Sequence, residues 1–390
     1  MFEHFVGVDV SKDSFSFNVT NLKEKTLEKG SCDMCHEGFE IFFSIISKFE
    51  NVAVGLESTA TYHQPLLFAL LARDIPTYLI TPFLVKNFAR SCSLRNTKTD
   101  TIDARIISVF LGKNHAGLHP VAASDSNGLR EIARLRESIS KKSVAAKIRL
   151  KQLVTTTFPE LVKEHNIFTV SMITMLEEFP SAEAIRKASL RKIEKVLSSK
   201  TKGRNAGINA GQIKELAAKS VGVCKPMLEK TVLHIIRELN FLTDELKKCD
   251  NELIEAVSVY LHEDFEILTS IPGIGKLTAA QFLAEIGDIN RFETVKQLTA
   301  YAGTDPGISQ SGNSLVQKKI SKRGNASVRR IGFLTALHLI SMNKLFKDYY
   351  DKKIRENMNG KKAVIAVFNK FLRCLFSMLK NKKTFSFNYS

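Results

Sequence analysis

The stretch Phe5-Val-Gly-Val-Asp-Val10 decides how the first part of the chain folds. Its run of apolar residues predicts a buried β-strand, and the acidic Asp9 stands near the end of that strand. The segment Ser14–Val19 follows after a short polar gap and is predicted to pair with the first strand as a hairpin. A third strand is predicted near Thr26–Cys32.

Helix and strand patterns then alternate up to about residue 120. The predicted order is helix Glu40–Phe49, strand Asn51–Leu56, helix Gln64–Ala72, strand Pro76–Ile80, and helices Pro82–Arg90 and Thr101–Leu111. Two or three antiparallel strands followed by alternating helices and strands indicate a mixed α/β sheet. We therefore predict an α/β domain over residues 1–120.

Beyond residue 120 the strand signals fade and charged amphipathic helices dominate. The segments Leu129–Thr155 and Pro226–Leu261 carry apolar residues at spacings of three and four. They are predicted to form an antiparallel helical arm or a coiled-coil-like dimer element. Short helices are predicted over Ser181–Gly222, joined by the loop Ser198–Gly207. We assign residues 121–264 to this all-α middle region.

Residues 265–390 are predicted to form a mostly helical C-terminal domain. Its predicted elements are the helix Leu277–Ile286, a loop or hairpin over Asp305–Ile320, and the helices Ala326–Ile340 and Lys362–Lys380. The segment Ile271-Pro-Gly-Ile-Gly275 resembles a helix-hairpin-helix loop, in which the backbone at Gly273, Gly275 and Lys276 binds a phosphate. An ordinary turn between two helices explains the same segment equally well.

The bulk composition favours a nucleic-acid partner. The 390 residues carry a formal net charge of +17, and 44% of them are hydrophobic, enough for ordinary packed cores. A charge of this size favours a polyanion, although a merely basic soluble protein is the plainer interpretation. The sequence contains no apolar run long enough to span a bilayer and begins without a signal peptide. We therefore expect a cytoplasmic, nucleoid-associated protein with no membrane partner.

The six cysteines are scattered along the chain. Cys32-Asp-Met-Cys-His36 matches the pattern for haem attachment, but attachment requires export, and a zinc site would need a second pair of ligands at suitable spacing. We interpret Cys32 and Cys35 as chance occurrences.

Four acidic residues form a candidate metal site. Asp9 and Glu57 end apolar strands, and the strand ends of an open α/β sheet commonly bind ligands. Asp100 and Asp103 are three residues apart, which places them on one face of a helix. If that helix packs at the same sheet edge, four carboxylates converge, and Mg²⁺ (or Mn²⁺) suits such oxygen ligands. Each acid taken alone is more simply a turn cap or a partner of a helix dipole.

A basic segment without acidic residues lies between Asp305 and Asp348. Charge of a single sign beside glycine and serine favours phosphate contact. Ser311 and Ser314 stand at its start, and the local sequence favours turn formers, because a serine hydroxyl needs a base, a cation or a metal to become a nucleophile. The cations of the segment are Lys318, Lys319, Lys322, Arg323, Arg329 and Arg330.

Taken together, these motifs resemble the DEDD-type transposases of bacterial insertion sequences, also called bridge-RNA-guided serine recombinases. The resemblance spans about residues 5–380, and its order and spacing are specific. The matching segments are Gly7–Lys12, Glu57–Tyr62, Leu94–Arg105, Ile271–Gly275, Leu298–Gly303, Ser311–Ser314 and Ser321–Asn325.

The resemblance implies an N-terminal RuvC-like domain of the RNase H-type fold, with Asp9, Glu57, Asp100 and Asp103 as its Mg²⁺-binding acids. It also implies a C-terminal transposase domain whose serine, by position Ser311, attacks DNA and forms a covalent phosphoserine link. The acids then assist from a domain of another subunit. The implied partners are donor and target DNA, a structured noncoding guide RNA that pairs with both, and further copies of the chain as dimers that assemble into a tetramer.

This sequence departs from the family pattern in two places. Ala60 stands where a glycine is usual, and Ser311–Gln317 lacks the glycine that often follows the serine motif, which keeps Ser314 as the alternative nucleophile. Two other functions also stay open. A metal-dependent, structure-specific nuclease like a junction resolvase needs the acids but no serine, and a non-catalytic nucleic-acid-binding protein needs neither.

Overall fold

The computed structural model describes residues 2–58, 61–92, 100–121, 126–199, 209–311 and 314–386. Within these ranges the description leaves out the side chains of residues 92, 100, 101, 126, 127, 306–311 and 314–319. The predicted loop Ser198–Gly207 lies almost entirely outside the described residues, as do Ala60 and the segment Leu94–Thr99. The chain divides into two compact units, Met1–Asp125 and Ser126–Ser390.

The N-terminal unit is built on a sheet of five strands, β1 (His4–Val10), β2 (Ser14–Asn21), β3 (Thr26–Asp33), β4 (Val52–Glu57) and β5 (Thr77–Ile80). Their order is β3-β2-β1-β4-β5. The first three strands pair antiparallel, whereas β1 with β4 and β4 with β5 pair parallel. An antiparallel meander extended by parallel crossover strands is the arrangement of an RNase H-type sheet. The predicted RuvC-like fold class is confirmed.

Four helices accompany this sheet, α1 (His36–Ile46), α2 (Gln64–Leu71), α3 (Pro82–Cys92) and α4 (Asp100–Asn114). Because side chains alternate along a strand, Val6 and Val8 of β1 point to one face, where they share a core with residues of α1 and α2. Phe5 points to the other face and packs with Ile107 and Leu111 of α4. The central strands β1 and β4 are therefore buried on both faces of the sheet.

Helix α4 lies directly on β1 because Gly7 has no side chain. A β-carbon at Gly7 would stand 2.1 Å from the carbonyl oxygen of Ala104 and 2.2 Å from the backbone nitrogen of Ser108. Farther along α4, Gly112 faces the ring of Phe5. Residues later in α4 thus meet residues earlier in β1, so the helix runs antiparallel to the strand. Its first turn therefore points toward the end of β1 where Asp9 lies.

Helix α1 begins four residues earlier than predicted. Cys35 caps it, since its Sγ accepts a hydrogen bond from the backbone N–H of Gly38 at 3.4 Å. Cys32 is buried in the sheet core. A core position and a helix cap explain both cysteines without haem or zinc.

Within its described residues, the second unit is helical apart from one hairpin. The sequence prediction has no counterpart for four of its helices, Pro159–Glu164, Val170–Glu178, Val295–Ala302 and Lys344–Arg355. Its elements are α5 (Ser126–Thr157), α6 (Pro159–Glu164), α7 (Val170–Glu178), α8 (Ala182–Lys187), α9 (Leu190–Ser199), α10 (Ala210–Ala218), α11 (Pro226–Tyr260), α12 (His262–Thr269), α13 (Lys276–Ile286), α14 (Val295–Ala302), β6 (Pro306–Ser311), β7 (Ser314–Ile320), α15 (Ala326–Met342), α16 (Lys344–Arg355) and α17 (Gly360–Asn381).

The long helices α5 and α11 pack antiparallel and pass through two hydrophobic cores. Leu129 near the start of α5 and Val257 near the end of α11 belong to one core, together with α12 to α17. Leu150 and Ile236 belong to the other, together with α6 to α10. The predicted antiparallel arm is thus present, but both of its helices also contribute to the C-terminal core. The division into domains at residues 120 and 264, and a role of the arm in dimerisation, stay predictions.

The segment predicted as a loop or hairpin is a hairpin, since β6 pairs antiparallel with β7. Among the described residues, no helix is both long and apolar enough to cross a membrane.

Candidate active site

Asp9 and Glu57 occupy neighbouring positions at the end of two parallel strands. Val8 of β1 pairs with Leu56 of β4. The next residue on each strand is the acidic one, so continuation of the same register places Asp9 beside Glu57. Both are half-buried.

Both acids lie on the sheet face that α4 covers. Side chains two residues apart on a strand share a face, so Asp9 is on the side of Gly7 and Glu57 on the side of Gly55. A β-carbon at Gly7 would strike the backbone of α4, and one at Gly55 would stand 3.2 Å from the Cγ2 atom of Ile107. Each of the two acids thus lies two residues beyond the glycine that α4 covers, on the same face of the sheet.

The start of α4 brings the remaining two acids to this end of the sheet. Ala104, Ile107 and Leu111 are fully buried along the sheet side of the helix. Asp103 is half-buried and adjoins this buried side at its N-terminal end. Asp100 is the first residue of α4, one turn before Ala104, and its side chain lies outside the described residues. The backbone therefore supports the predicted arrangement for both helix positions.

A metal centre at this edge stays a prediction. Within the part of the chain whose side chains are described, no group of three or more His, Cys, Asp or Glu residues is arranged to hold a metal ion. The side chain of Asp100, one of the four predicted ligands, lies outside that part. Asp9, Glu57 and Asp103 each make an interaction within the protein. The chemistry of the donor set, carboxylate oxygens alone, suits Mg²⁺ or Mn²⁺.

Ser311 and Ser314 flank the turn of the β6–β7 hairpin, which we call the serine hairpin (residues 306–320). They are paired across the two strands, with Gly312 and Asn313 between them. These two turn residues and both serine side chains lie outside the description. A glycine-containing two-residue connection is typical of tight hairpins. Both serines therefore stand at the tip of the hairpin. This position is compatible with a role in forming the turn and also with presentation of a serine to a substrate.

The two chain segments that enter and leave the serine hairpin, residues 301–305 and 321–325, form what we call the hairpin base. The backbone N–H of Ser321 donates to the carbonyl of Asp305 at 3.0 Å, and its hydroxyl donates to the carboxylate of Asp305 at 2.6 Å. The backbone N–H of Lys322 donates to the carbonyl of Gly303 at 3.1 Å. The hairpin is thus closed at its lower end by three hydrogen bonds.

Two glycines let these segments cross. Gly303 has a φ of +67°, a left-handed conformation that favours glycine. A β-carbon at Gly303 would stand 2.8 Å from the backbone nitrogen of Gly324, and one at Gly324 would stand 2.1 Å from the carbonyl oxygen of Tyr301. The family-like segments Leu298–Gly303 and Ser321–Asn325 therefore meet in space at this crossing.

The six cations of the predicted basic patch differ in their surroundings. Lys322 and Arg323 are exposed beside the hairpin base. Lys318 and Lys319 lie on β7, and their side chains are outside the description. Arg329 donates from Nη1 to the carbonyl of Ala302 at 3.1 Å. Phosphate contact stays a prediction for all six, and Arg329 already has a structural partner.

Arg330 also has a partner inside the protein, because its Nε donates to Glu137 at 3.0 Å. Burial raises the pKa of Glu137, but hydrogen bonds from Lys141, Ser327 and Arg330 outweigh this effect and hold the pKa at about 2. Glu137 therefore stays ionised and joins α5 to α15. No sequence motif singles out this residue.

The segment Ile271–Gly275 connects α12 and α13 as the helix-hairpin-helix prediction requires. Gly273 has a φ of +98° and packs against Leu339. A β-carbon at Gly275, the residue that precedes α13, would meet no atom within 4 Å, and Lys276 is exposed. The backbone at the start of α13 is open on that side, which is compatible with a phosphate as well as with an ordinary turn.

Comparison with known proteins gives two family matches in different parts of the chain. A family model described as "Transposase", of the DEDD type, matches residues 6–159. A second, described as "Transposase IS116/IS110/IS902 family", matches residues 265–351. Together the two matches cover more than half of the chain. They contain the four acidic positions and the serine hairpin, respectively.

Individual relatives agree with these matches. An uncharacterised protein of insertion element IS110 from Streptomyces coelicolor is 24% identical over 97% of this chain and 94% of its own length. The transposase for insertion sequence element IS1111A from Coxiella burnetii is 28% identical over 53% of this chain and 63% of its own length. A pilin gene-inverting protein from Moraxella bovis is 21% identical over 99% of this chain and 98% of its own length.

Among solved structures, Thermus thermophilus RuvC in complex with a Holliday junction substrate overlaps 30% of this chain and 99% of its own, with 13% identity and a TM-score of 0.25. At so low a score, the fold assignment rests on the strand order and directions described above. The class of protein that the fold and the two family matches define is that of DNA transposases and recombinases. The chain belongs to the DEDD-type family of insertion-sequence transposases.

Proposed function

We propose that this transposase is an RNA-guided serine recombinase in which Ser311 is the nucleophile. The observation that carries the proposal is the position of Ser311, the last residue of β6, which pairs with Ser314 at the far end of a hairpin whose base is closed by hydrogen bonds. Lys322 and Arg323 lie exposed at that base. A serine at the tip of an anchored hairpin, with exposed lysine and arginine side chains at the hairpin base, is suited to approach a DNA phosphate.

The covalent step exchanges one phosphate ester for another. The Oγ atom of Ser311 forms a bond to the phosphorus, and the bond from phosphorus to the leaving deoxyribose oxygen breaks. The proton of the serine hydroxyl passes to a carboxylate acting as general base, and the leaving oxygen takes up a proton. Attack by the hydroxyl of a second DNA strand on the phosphoserine reverses these steps and joins the new pair of strands.

In this proposal Asp9, Glu57, Asp100 and Asp103 act on the same phosphate from the RuvC-like unit of another subunit and hold Mg²⁺ or Mn²⁺. The metal, when bound, stabilises negative charge on the phosphoryl oxygens and lowers the pKa of a coordinated hydroxyl. The observations that support this assignment are the shared face of the two strand ends and the orientation of the first turn of α4.

The proposed partners are donor DNA, target DNA and a structured guide RNA, bound by dimers that assemble into a tetramer at the nucleoid in the cytoplasm. The net charge of +17 supports a polyanionic partner. The proposed phosphate contacts are Gly273, Gly275, Lys276, Lys318, Lys319, Lys322, Arg323, Arg329 and Arg330. The relatives named as a transposase and as a pilin gene-inverting protein support strand cleavage followed by rejoining.

Substitutions at the proposed nucleophile and at the proposed metal-binding acids test the proposal. Ser311→Ala and Asp9→Asn are each expected to lower recombination between donor and target plasmids by at least about a thousandfold, because each removes a group needed for the chemical step. The matched controls are Ser314→Ala, across the hairpin, and Asp13→Asn, an exposed acid after β1. Both controls are expected to stay near wild-type activity.

The pattern of loss separates the candidate functions. Full activity of Ser311→Ala together with an inactive Asp9→Asn would indicate a metal-dependent nuclease, and an inactive Ser314→Ala beside an active Ser311→Ala would move the nucleophile to Ser314. Trapping with a nicked DNA substrate, followed by mass spectrometry, is expected to give a phosphoserine at Ser311. Sequencing of RNA bound to the purified protein is expected to give one dominant species, whereas random cellular RNA would contradict guiding.

A further inference from the structure

Glu285 is a charged residue buried within an apolar helix. It lies near the end of α13, it is 1% exposed, and its neighbours Ala284 and Ile286 are fully buried. A carboxylate removed from water destabilises a fold unless charged and hydrogen-bonding partners surround it. The partners of the Glu285 carboxylate therefore indicate its role in the fold.

Three side chains converge on this carboxylate. The side-chain amide of Asn325 donates to Oε2 at 2.8 Å. The Nε of Arg134 stands 3.6 Å from Oε1, and the Nε of Arg130 stands 4.0 Å from Oε2. Both arginines lie on α5, whereas Asn325 is the N-cap of α15. Glu285 thus joins three separate parts of the C-terminal unit.

Tyr301 closes a ring with Glu285 and Asn325. The amide of Asn325 also lies 3.0 Å from the hydroxyl of Tyr301, and that hydroxyl donates to the backbone carbonyl of Glu285 at 2.9 Å. The guanidinium of Arg291 stacks on the ring of Tyr301 at 4.4 Å. We call Glu285, Tyr301 and Asn325 the Glu285 ring.

The Glu285 ring holds both ends of the serine hairpin. Tyr301 is the first residue of the entering segment, and Asn325 is the last residue of the leaving segment. The backbone N–H of Asn325 donates to the carbonyl of Tyr301 at 2.6 Å, next to the crossing of Gly303 and Gly324. Loss of the carboxylate would remove one of the contacts that fix Asn325 and would loosen the link between the two segments.

We infer that Glu285 is a positioning residue for the serine hairpin, acting through Asn325 and Tyr301 to fix the direction in which its tip points. The inference deepens the proposed function and rests on it, because orientation of the tip matters for catalysis only if Ser311 is the nucleophile. Positioning of a reacting group within a fraction of an ångström is a recognised source of rate acceleration.

Hydrogen exchange of the full-length protein, measured by mass spectrometry, tests the inference with two variants. Glu285→Gln keeps the size of the side chain but removes its charge. Asn325→Ser keeps a residue able to cap α15 but removes the donor to Glu285. Both are expected to speed exchange in residues 306–320 by about tenfold or more, with a much smaller change in α15.

The matched control is Glu137→Gln. This half-buried carboxylate also joins α5 to α15, but it does not contact the hairpin base. It is expected to leave exchange of the serine hairpin near the wild-type rate. Equal acceleration in Glu137→Gln, or unchanged exchange in both test variants, would overturn the inference. If Glu285→Gln fails to fold, Asn325→Ser alone decides in the same way.

A kinetic measurement separates positioning from general stability. Single-turnover cleavage at saturating DNA is expected to fall at least tenfold in both variants, while the Kd for DNA changes less than threefold. A loosened hairpin with wild-type cleavage would count against a positioning role. Ser311→Ala is expected to keep wild-type hairpin exchange, so its activity tests the proposed function independently of the exchange result.

Discussion

The two candidate halves of the active site are built in different ways. At the end of β1 and β4, the acids take their places from strand register, from side-chain alternation and from one helix that crosses at Gly7. At the serine hairpin, position depends on residues from α5, α13, α14 and the start of α15, which come together around Glu285. One half follows from regular secondary structure, and the other from a polar network between distant segments.

The difference teaches where each half is vulnerable. Where strand register places the residues, substitutions of exposed side chains are tolerated. Substitutions at a contact between two backbones are not, because no side-chain rotamer relieves a clash with a backbone atom. A site set by a polar network is sensitive to each charged member, since every buried group needs its partner. Substitutions at the two kinds of position are therefore expected to differ in size and in character.

The largest effect is expected at the close contact of β1 and α4. Gly7→Val introduces side-chain atoms where a β-carbon already stands 2.1 Å from a backbone oxygen. We expect a loss of about 3 kcal/mol or more in the free energy of unfolding of the N-terminal unit. Recombination is expected to fall with it. Denaturant unfolding followed by circular dichroism measures the first effect, and the plasmid assay measures the second.

The control for this substitution is Gly117→Ala, where an added β-carbon meets no atom within 4 Å. It is expected to change stability by no more than about 0.5 kcal/mol. A Gly7→Val protein as stable as the wild type would show that α4 does not need its close approach, and the register-based account of the acids would fail.

An intermediate effect is expected at the exposed cations of the hairpin base. The double variant Lys322→Gln and Arg323→Gln is expected to weaken DNA binding about tenfold and to reduce the slope of log K against log salt by about 2, since two phosphate contacts are lost. Fluorescence anisotropy over a range of salt concentrations measures both quantities.

Lys219→Gln serves as the control, because this lysine pairs with Glu215 on the surface of α10 at 2.7 Å. It is expected to leave the slope unchanged. An unchanged slope in the double variant would remove Lys322 and Arg323 from the set of phosphate contacts.

The smallest effect is expected at Glu137. Glu137→Gln is expected to lower the stability of the C-terminal unit at pH 7 by about 1–2 kcal/mol, the range for a partly buried, hydrogen-bonded charge. The native pKa is about 2, below the ordinary value of 4.5, so the contribution of Glu137 is complete above pH 4.5. It is lost as the pH falls from 4.5 toward 2.

Urea unfolding at pH 7 and at pH 3 tests this dependence. The difference between the wild type and Glu137→Gln is expected to shrink at the lower pH. Glu215→Gln, in an exposed pair with Lys219, is expected to change stability by no more than about 0.5 kcal/mol at either pH. If the difference in unfolding free energy between the wild type and Glu137→Gln were the same at both pH values, the lowered pKa of Glu137 would be contradicted.

Short-range sequence patterns predict where the acids of the N-terminal unit lie, and their role as an active site stays a prediction. Period-two alternation in Phe5–Val10 gives the face of Asp9, and the spacing of three gives a common helix face for Asp100 and Asp103. These rules act over a few residues, so they can be applied without coordinates. The contact of α4 with Gly7 could not be predicted from the sequence. A glycine in a strand indicates a close contact but does not show which element makes it.

The serine hairpin shows the limit of the same reasoning. A turn-rich segment at Asp305–Ile320 predicts a hairpin, but the residues that anchor it include Arg130 on α5, far earlier in the chain. One signal for Glu285 was present, a single acid in the otherwise apolar second half of the helix Leu277–Ile286. Only tertiary structure could show its arginine partners on α5.

The crossing of Gly303 and Gly324 has a consequence for how such enzymes diversify. Because the base is closed below the hairpin, residues 306–320 form a module whose two ends stay fixed whatever lies between them. The cost of closing a longer loop grows only slowly with its length. Insertions or exchanges within this module are therefore expected to leave the helices beneath it unchanged, which would let the tip vary while the rest of the fold stays the same.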